Sequence, residues 1–178
     1  MRRIQTVALR LFEAKGLAAV AVEEVADQAK VGAASIYRNF GTKEGLVLWD
    51  DYDPALLAAV AARVKTLPPL QAVRDAVVAC LAEVYRRDRQ RILRRTRLML
   101  SEPALLAANA SLQDGLRSAL ADIFRRGRSS LEAEVLASVS VGLLDACVRE
   151  WARKGGKLAM DRVLKAGFGL VSEIEIDE

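Results

Sequence analysis

Apolar residues recur at helical spacing in one segment of the chain after another. Ile4, Val7, Ala8, Leu11, Phe12 and Lys15 follow the i, i+3, i+4, i+7 rule and predict a helix over 4–15 that Gly16 ends. Two shorter periodic segments follow, 22–29 and 33–40, separated by Lys30-Val31-Gly32. In the first, Val22, Val25, Ala26 and Ala29 share one face; in the second, Ile36 and Phe40 lie one turn apart and can close over Val31. Two short helices around a tight glycine-containing turn form a helix-turn-helix, whose second helix enters a DNA major groove. Its outward face would carry Ala34 with Arg38 as one i,i+4 pair and Ser35 with Asn39 as another. Phe40-Gly41-Thr42-Lys43-Glu44 then forms a turn that opens a further helix with a lysine at its mouth.

Beyond this head the helical pattern continues. Leu46 to Trp49 extend one helix until Asp50-Asp51-Tyr52-Asp53-Pro54 interrupts it. Proline cannot donate to the i−4 carbonyl, so the helix either kinks or restarts with Asp53 as cap and Pro54 as first residue; restart is the preferred expectation. Trp49 and Tyr52 beside the break either line a ligand cavity or pack in the ordinary way. An apolar stripe over 56–64 ends at Leu67-Pro68-Pro69, and Leu70, Val73, Val77, Cys80, Leu81 and Val84 mark the next helix. Arg86 to Arg97 then place seven arginines in twelve positions. This run admits three readings: a solvated face with salt bridges, a site for an anionic effector such as the phosphates of an acyl-coenzyme A, or auxiliary DNA contact. Pro103 opens a helix with Leu105, Leu112, Leu116, Leu120, Ile123 and Phe124 on one side. Ser129-Ser130-Leu131-Glu132 is a capping box for a helix reaching Trp151, and a last helix runs from Leu158 to Ile174 before an acidic tail. The fold class is therefore all-α.

Composition narrows the chemistry. At 178 residues, 52% of them apolar, the chain can bury a substantial core as one compact domain or a small head on a larger body. No uninterrupted apolar run reaches the ~18 residues of a membrane span, and residues 1–15 do not read as a secretory signal. Cys80 and Cys147 lie far apart in apolar helical stretches and read as buried free thiols, which makes a reducing cytoplasm the default. Histidine is absent, which removes the commonest general base and metal ligand, and two lone cysteines cannot make a zinc site. No nucleophile elbow, P-loop or dinucleotide fingerprint is found. Neither an enzyme nor a metal or cofactor is expected. The net charge of +4 favours an anionic partner without identifying it.

The order of apolar residues in the head, the Ile36-Tyr37-x-x-Phe40 core and the Thr42-Lys43-Glu44-x-Leu46 entry resemble the DNA-binding domain of TetR-family transcriptional regulators. The likeness covers about the first 46 residues in detail and the remainder only as an all-helical domain. Leu98-Met99-Leu100, Pro103, Leu105, Glu150-Trp151 and Gly155-Gly156 are further similar to a subgroup rich in actinobacterial-type regulators. The resemblance implies a three-helix helix-turn-helix head (1–46) on a helical-bundle body for effector binding and dimerisation (47–178), with a homodimer formed through the last two long helices. Small residues there, Ala137, Gly142 and Ala146 against Ala166, Gly167 and Gly169, permit close helix approach; intramolecular packing alone is the plainer alternative.

The head also departs from the family pattern. Ala21 stands where a threonine cap is usual, which weakens that helix start by about 1 kcal/mol. Gly32 replaces the usual serine cap. Ala33 and Ala34 can offer only methyl contacts, for instance to thymine. Direct readout then falls to Ser35, Arg38 and Asn39. By resemblance, Tyr37 and Lys43 would hold phosphates, against the alternatives of a core aromatic and a solvated lysine. Arg2 and Arg3 stand for a short basic arm, in contact with phosphate or simply exposed. Residues 1–46 hold seven basic against five acidic side chains, a modest field that calls for two heads acting together. The expected protein is a cytoplasmic, homodimeric DNA-binding regulator, most simply a repressor released from a pseudo-palindromic operator by an apolar or amphipathic small-molecule effector. The alternative is a helical small-molecule sensor or adaptor whose head has lost DNA binding.

Overall fold

A computed structural model describes residues 1–49 and 53–174, with side chains for all of these except 53, 54, 82, 83 and 172–174. Ten helices are found among the described residues: α1 (Arg2–Lys15), α2 (Val22–Ala29), α3 (Ala33–Phe40), α4 (Lys43–Leu48), α5 (Asp53–Arg63), α6 (Pro69–Arg87), α7 (Arg89–Ser101), α8 (Pro103–Phe124), α9 (Ser130–Arg153) and α10 (Met160–Ile174). The fold is all-α, as expected. The chain forms two compact units, one built from Met1–Asp50 and Gln90–Ala110, the other from Asp51–Arg89 and Ser111–Glu178.

The first unit closes around Phe12, Val25, Ile36, Leu46 and Leu105, all essentially inaccessible to solvent. Each such large side chain contributes about 1.5–3 kcal/mol on burial, which is what compels three helices of only eight, eight and six residues to hold their shape. The reversal between α2 and α3 runs through Lys30 in the left-handed region, at φ 52°. Val31 donates its N–H back to Ala26 O at 3.0 Å, and its side chain packs on the core as the apolar pattern predicted. Thr42 caps α4 by accepting from Gly45 N at 3.0 Å. Gly45 is required there, since a Cβ would fall 1.9 Å from Phe40 O.

The helix does break after Leu48, and α5 begins at Asp53, in keeping with a restart. Trp49 packs in the ordinary way. It is half-buried against the core of the first unit, edge-on to Phe40 with ring centroids 5.9 Å apart; Tyr52 lies outside the described residues.

In the second unit α6 packs against α5 and α10, and α10 against α9. Val60, Ala76, Leu120, Phe124, Trp151 and Leu164 form its interior. Trp151 donates from Nε1 to Leu158 O at 3.0 Å and meets the Tyr85 ring edge-on at 4.9 Å. The capping box of α9 is complete, with Ser129 Oγ accepting from Glu132 N and Ser129 N donating to the Glu132 carboxylate. Hydrogen bonding to its carboxylate from the Ser129 side chain, and then from the Ser129 backbone, holds Glu132 below the ordinary carboxyl range. Leu112 departs from the expected apolar face of α8 and is exposed, while Leu105, Leu120 and Phe124 are buried. Cys147 is buried, Cys80 is half-buried, and both are free thiols. No helix among the described residues is long and apolar enough to cross a membrane.

Candidate nucleic-acid interface

The surface of α3 follows directly from its periodicity. Ile36 and Phe40 point inward and are 1% and 8% exposed, so the residues between them must turn outward. Tyr37, at 48% exposure, is no core aromatic; Ala34, Arg38 and Asn39 are exposed with it, and Ser35 is half-buried. Ala33 is only half-buried and leans on the core, which leaves it less of its methyl surface than Ala34 has. Asn39 is tied back along its own helix, donating from Nδ2 to Ser35 O at 2.7 Å and lying 3.3 Å from Ser35 Oγ. Two of the expected base readers therefore form one local pair.

Lys43 is half-buried at the start of α4, and its ammonium donates to Val20 O at 3.2 Å and Ala18 O at 3.4 Å. It straps the loop before α2 to the mouth of α4. An ammonium has three donors, so one remains for another acceptor. Neither Ala21 nor Gly32 caps its helix with a side chain, as their chemistry predicted. Glu24, a carboxylate near the interface, is neutralised by Lys15 at 2.5 Å. Arg3 donates to Ala29 O at 2.9 Å and so closes the end of α2.

The arginine run of α7 takes a specific internal role. Arg94 grips Glu13 of α1 with two Nε contacts of 2.9 Å and a third bond from Nη2, and these hydrogen bonds push its pKa further up. Arg95 donates to Leu48 O at 3.2 Å. Arg91 donates to Oε1 of Gln5, a fully buried side chain whose Nε2 donates in turn to Val47 O at 3.2 Å and Trp49 O at 3.0 Å. The last carbonyls of α4, which no helical amide can satisfy, are thus bonded by side chains from α1 and α7. Of the three readings of the run, salt bridging fits Arg94, and Arg91 and Arg95 also direct donors into their own unit, to Gln5 Oε1 and Leu48 O. Gln5 was missed by the apolar pattern, although Ile4 and Leu9 flank it on the same arc of α1 and marked the position as inward-facing.

A family profile described as bacterial regulatory proteins, tetR family, matches residues 4–48, and a second, described as the MftR C-terminal domain, matches residues 67–174, more than half the chain. The chain belongs to the TetR family. It is a DNA-binding transcriptional regulator of that family and not an enzyme. MftR of Mycobacterium tuberculosis, whose name ties it to regulation of mycofactocin biosynthesis, is 25% identical over 175 residues, covering 94% of this chain and 87% of that protein. Among solved structures, the SmeT–triclosan complex superposes with a TM-score of 0.65 at 12% identity, over 95% of this chain and 88% of that one. The TetR-family repressor FadR of Thermus thermophilus, bound to lauroyl-CoA, does so with a TM-score of 0.55 at 22% identity, over 97% and 93%. At these identities the two structures speak to the fold.

Proposed function

We propose that this TetR-family regulator works as a cytoplasmic homodimeric repressor whose two α3 helices enter successive major grooves of a pseudo-palindromic operator, about 34 Å apart. The observation that carries this reading is the outward face of α3, where Arg38 is exposed and Tyr37 stands beside it over a closed Ile36–Phe40 core. Arg38 reads a base, with guanine its best partner; Ala33 and Ala34 offer methyls, and Ser35 with Asn39 reads through what their mutual bond leaves free. Tyr37 and the third donor of Lys43 hold phosphates. Residues 1–46 are the reading portion, and 47–178 serve effector binding and dimerisation.

Dimerisation is supported by a hollow of about 620 Å³ between α9 and α10, lined by Leu143, Ala146, Ala166 and Leu170 among others. Leu170 is 63% exposed and Val135, further along α9, is 51% exposed. At Gly167 a Cβ would fall 2.5 Å from Cys147 Sγ, so glycine permits the close approach of α10 to α9. A mostly apolar surface of this kind suits a second copy of itself. FadR with lauroyl-CoA and SmeT with triclosan support an effector that is a small apolar or amphipathic molecule. Its binding releases DNA by favouring one of two geometries of the heads.

A mobility-shift titration against the DNA upstream of its own coding region, run beside sedimentation, tests the reading. Wild-type protein sediments as a dimer and shifts the fragment; Leu170→Glu sediments as a monomer and loses the shift. A monomeric wild-type protein at binding concentrations, or the absence of any sequence-selective shift, would overturn it.

A further inference from the structure

A second hollow, of about 770 Å³, opens in the second unit where the end of α5 meets the end of α8 and the turn after it. Its volume falls in the range of small-molecule sites, roughly 300–1,000 Å³. The apolar wall comes from Ala58, Ala61 and Ala62 on α5 and Ile123 on α8. Alanine at these three positions keeps that face of α5 low, and the hollow is the space that longer side chains would fill.

Three cations edge this wall: Lys65, Arg126 and Arg128. The ordinary explanation for basic residues at helix ends is that they satisfy terminal carbonyls or pair with neighbouring acids. Here other residues already do both. Backbone amides reach Val60 O and Arg63 O at the end of α5 and Ala121 O at the end of α8, and Arg125 pairs with Asp122 at 2.8 Å and with Glu134 at 3.8 Å. Asp122, the one carboxylate among the described lining residues, is thereby spoken for. No side-chain hydrogen bond or ion pair to a described residue holds Lys65, Arg126 or Arg128; Arg128 exerts only a through-space pull on Glu132. Three positive groups beside an apolar floor, with the local acid already neutralised, is an arrangement complementary to a molecule that is greasy at one end and anionic at the other.

We infer that this hollow is a binding site for a small amphipathic anion, a carboxylate or phosphate ester carried on an aliphatic body. The body lies on Ala58, Ala61, Ala62 and Ile123, and the head lies among Lys65, Arg126 and Arg128. The inference deepens the effector-binding reading by giving the effector a charge and a place; the binding itself does not depend on DNA.

Calorimetric titration of the full chain near neutral pH tests it, with decanoate, decyl phosphate and neutral 1-decanol as probes below their aggregation range. At least one of the two anions binds saturably at one site per chain, and the tighter one identifies the head group. The alcohol binds about tenfold or more weakly, as does the preferred anion to Lys65→Ala/Arg126→Ala, the size expected for losing hydrogen bonds to a charged group. Ala58→Trp, at an exposed helical position that leaves the core untouched, fills the hollow and abolishes binding. Equal affinity for decanol, no saturable binding of either anion, or an unchanged affinity in the double variant with native circular dichroism would each overturn the inference. Mobility shifts with the bound anion then read regulation separately. A protein that binds the anion but no DNA keeps this site and defeats the repressor reading, and one that binds DNA but no anion does the reverse.

Discussion

The arginines of α7 and the single arginine of α3 make an instructive pair. By count, the run from Arg86 to Arg97 is the strongest electropositive feature of the chain, and the head looks weakly charged. By geometry the order reverses. Arg91, Arg94 and Arg95 direct donors to Gln5, Glu13 and Leu48 O within their own unit, whereas Arg38 stands exposed on α3. A guanidinium offers five donors in a fixed fork, and what it can do for a ligand is set by how many of those donors the fold has already taken. Density of charge along the sequence therefore located a clamp, and a sparse outward face holds the proposed reader.

The contrast breaks most visibly at Gln5. Gln5→Leu keeps the volume but strips partners from Val47 O, Trp49 O and Arg91 in a fully buried place, and it should cost about 2–4 kcal/mol of the first unit's stability. Urea unfolding followed by Trp49 fluorescence in a Trp151→Phe background measures this; a loss under about 0.5 kcal/mol would mean the junction is ornamental. Next, Arg38→Ala should leave stability unchanged and flatten base preference by about 1–3 kcal/mol at one operator position, read by competition among single-base operator variants. Retained preference at every position would move readout elsewhere on α3.

Lys43 sharpens the line between the two kinds of cation, because it is partly committed. Lys43→Ala should weaken binding to all sequences alike and lower the salt slope by about 1. An unchanged slope combined with a less stable head would make Lys43 a strap only, tied to Ala18 O and Val20 O. The smallest effect belongs to Glu13→Gln. The Arg94–Glu13 pair is well formed but 48% and 30% exposed, and its loss should cost under about 1 kcal/mol in the same urea experiment. A larger cost would show that the pair acts together with the buried Gln5 junction.

Much of the head was legible in the residues themselves. The inward set Ile36 and Phe40, the turn at Lys30–Gly32, the missing caps at Ala21 and Gly32 and the helix opening at Lys43 all followed from spacing and side-chain chemistry, because each depends on neighbours within one helical turn. The capping box at Ser129 was legible for the same reason. Trp49, Leu112 and Lys43 were less so. A periodic apolar face says which side of a helix is greasy but not whether another helix arrives to cover it, which is why Leu112 stays in water and Trp49 settles against Phe40. The destinations of long side chains are further still from local pattern. Arg91 and Gln5 are 86 residues apart in the chain, and nothing near either one announces the other.

The order and kind of residues settled what is decided within a turn or two: most of the helices, several of their ends, and an outward face on α3. Propensity, capping and periodicity act at short range and are written in the chain itself. Tertiary packing alone decided which donors were spent and which were left over, since a hydrogen bond between distant segments exists only once both have been brought together. The fold thereby committed Arg91, Arg94 and Arg95 to contacts within their own unit, left Arg38 exposed on α3, and left Lys65, Arg126 and Arg128 around an apolar floor.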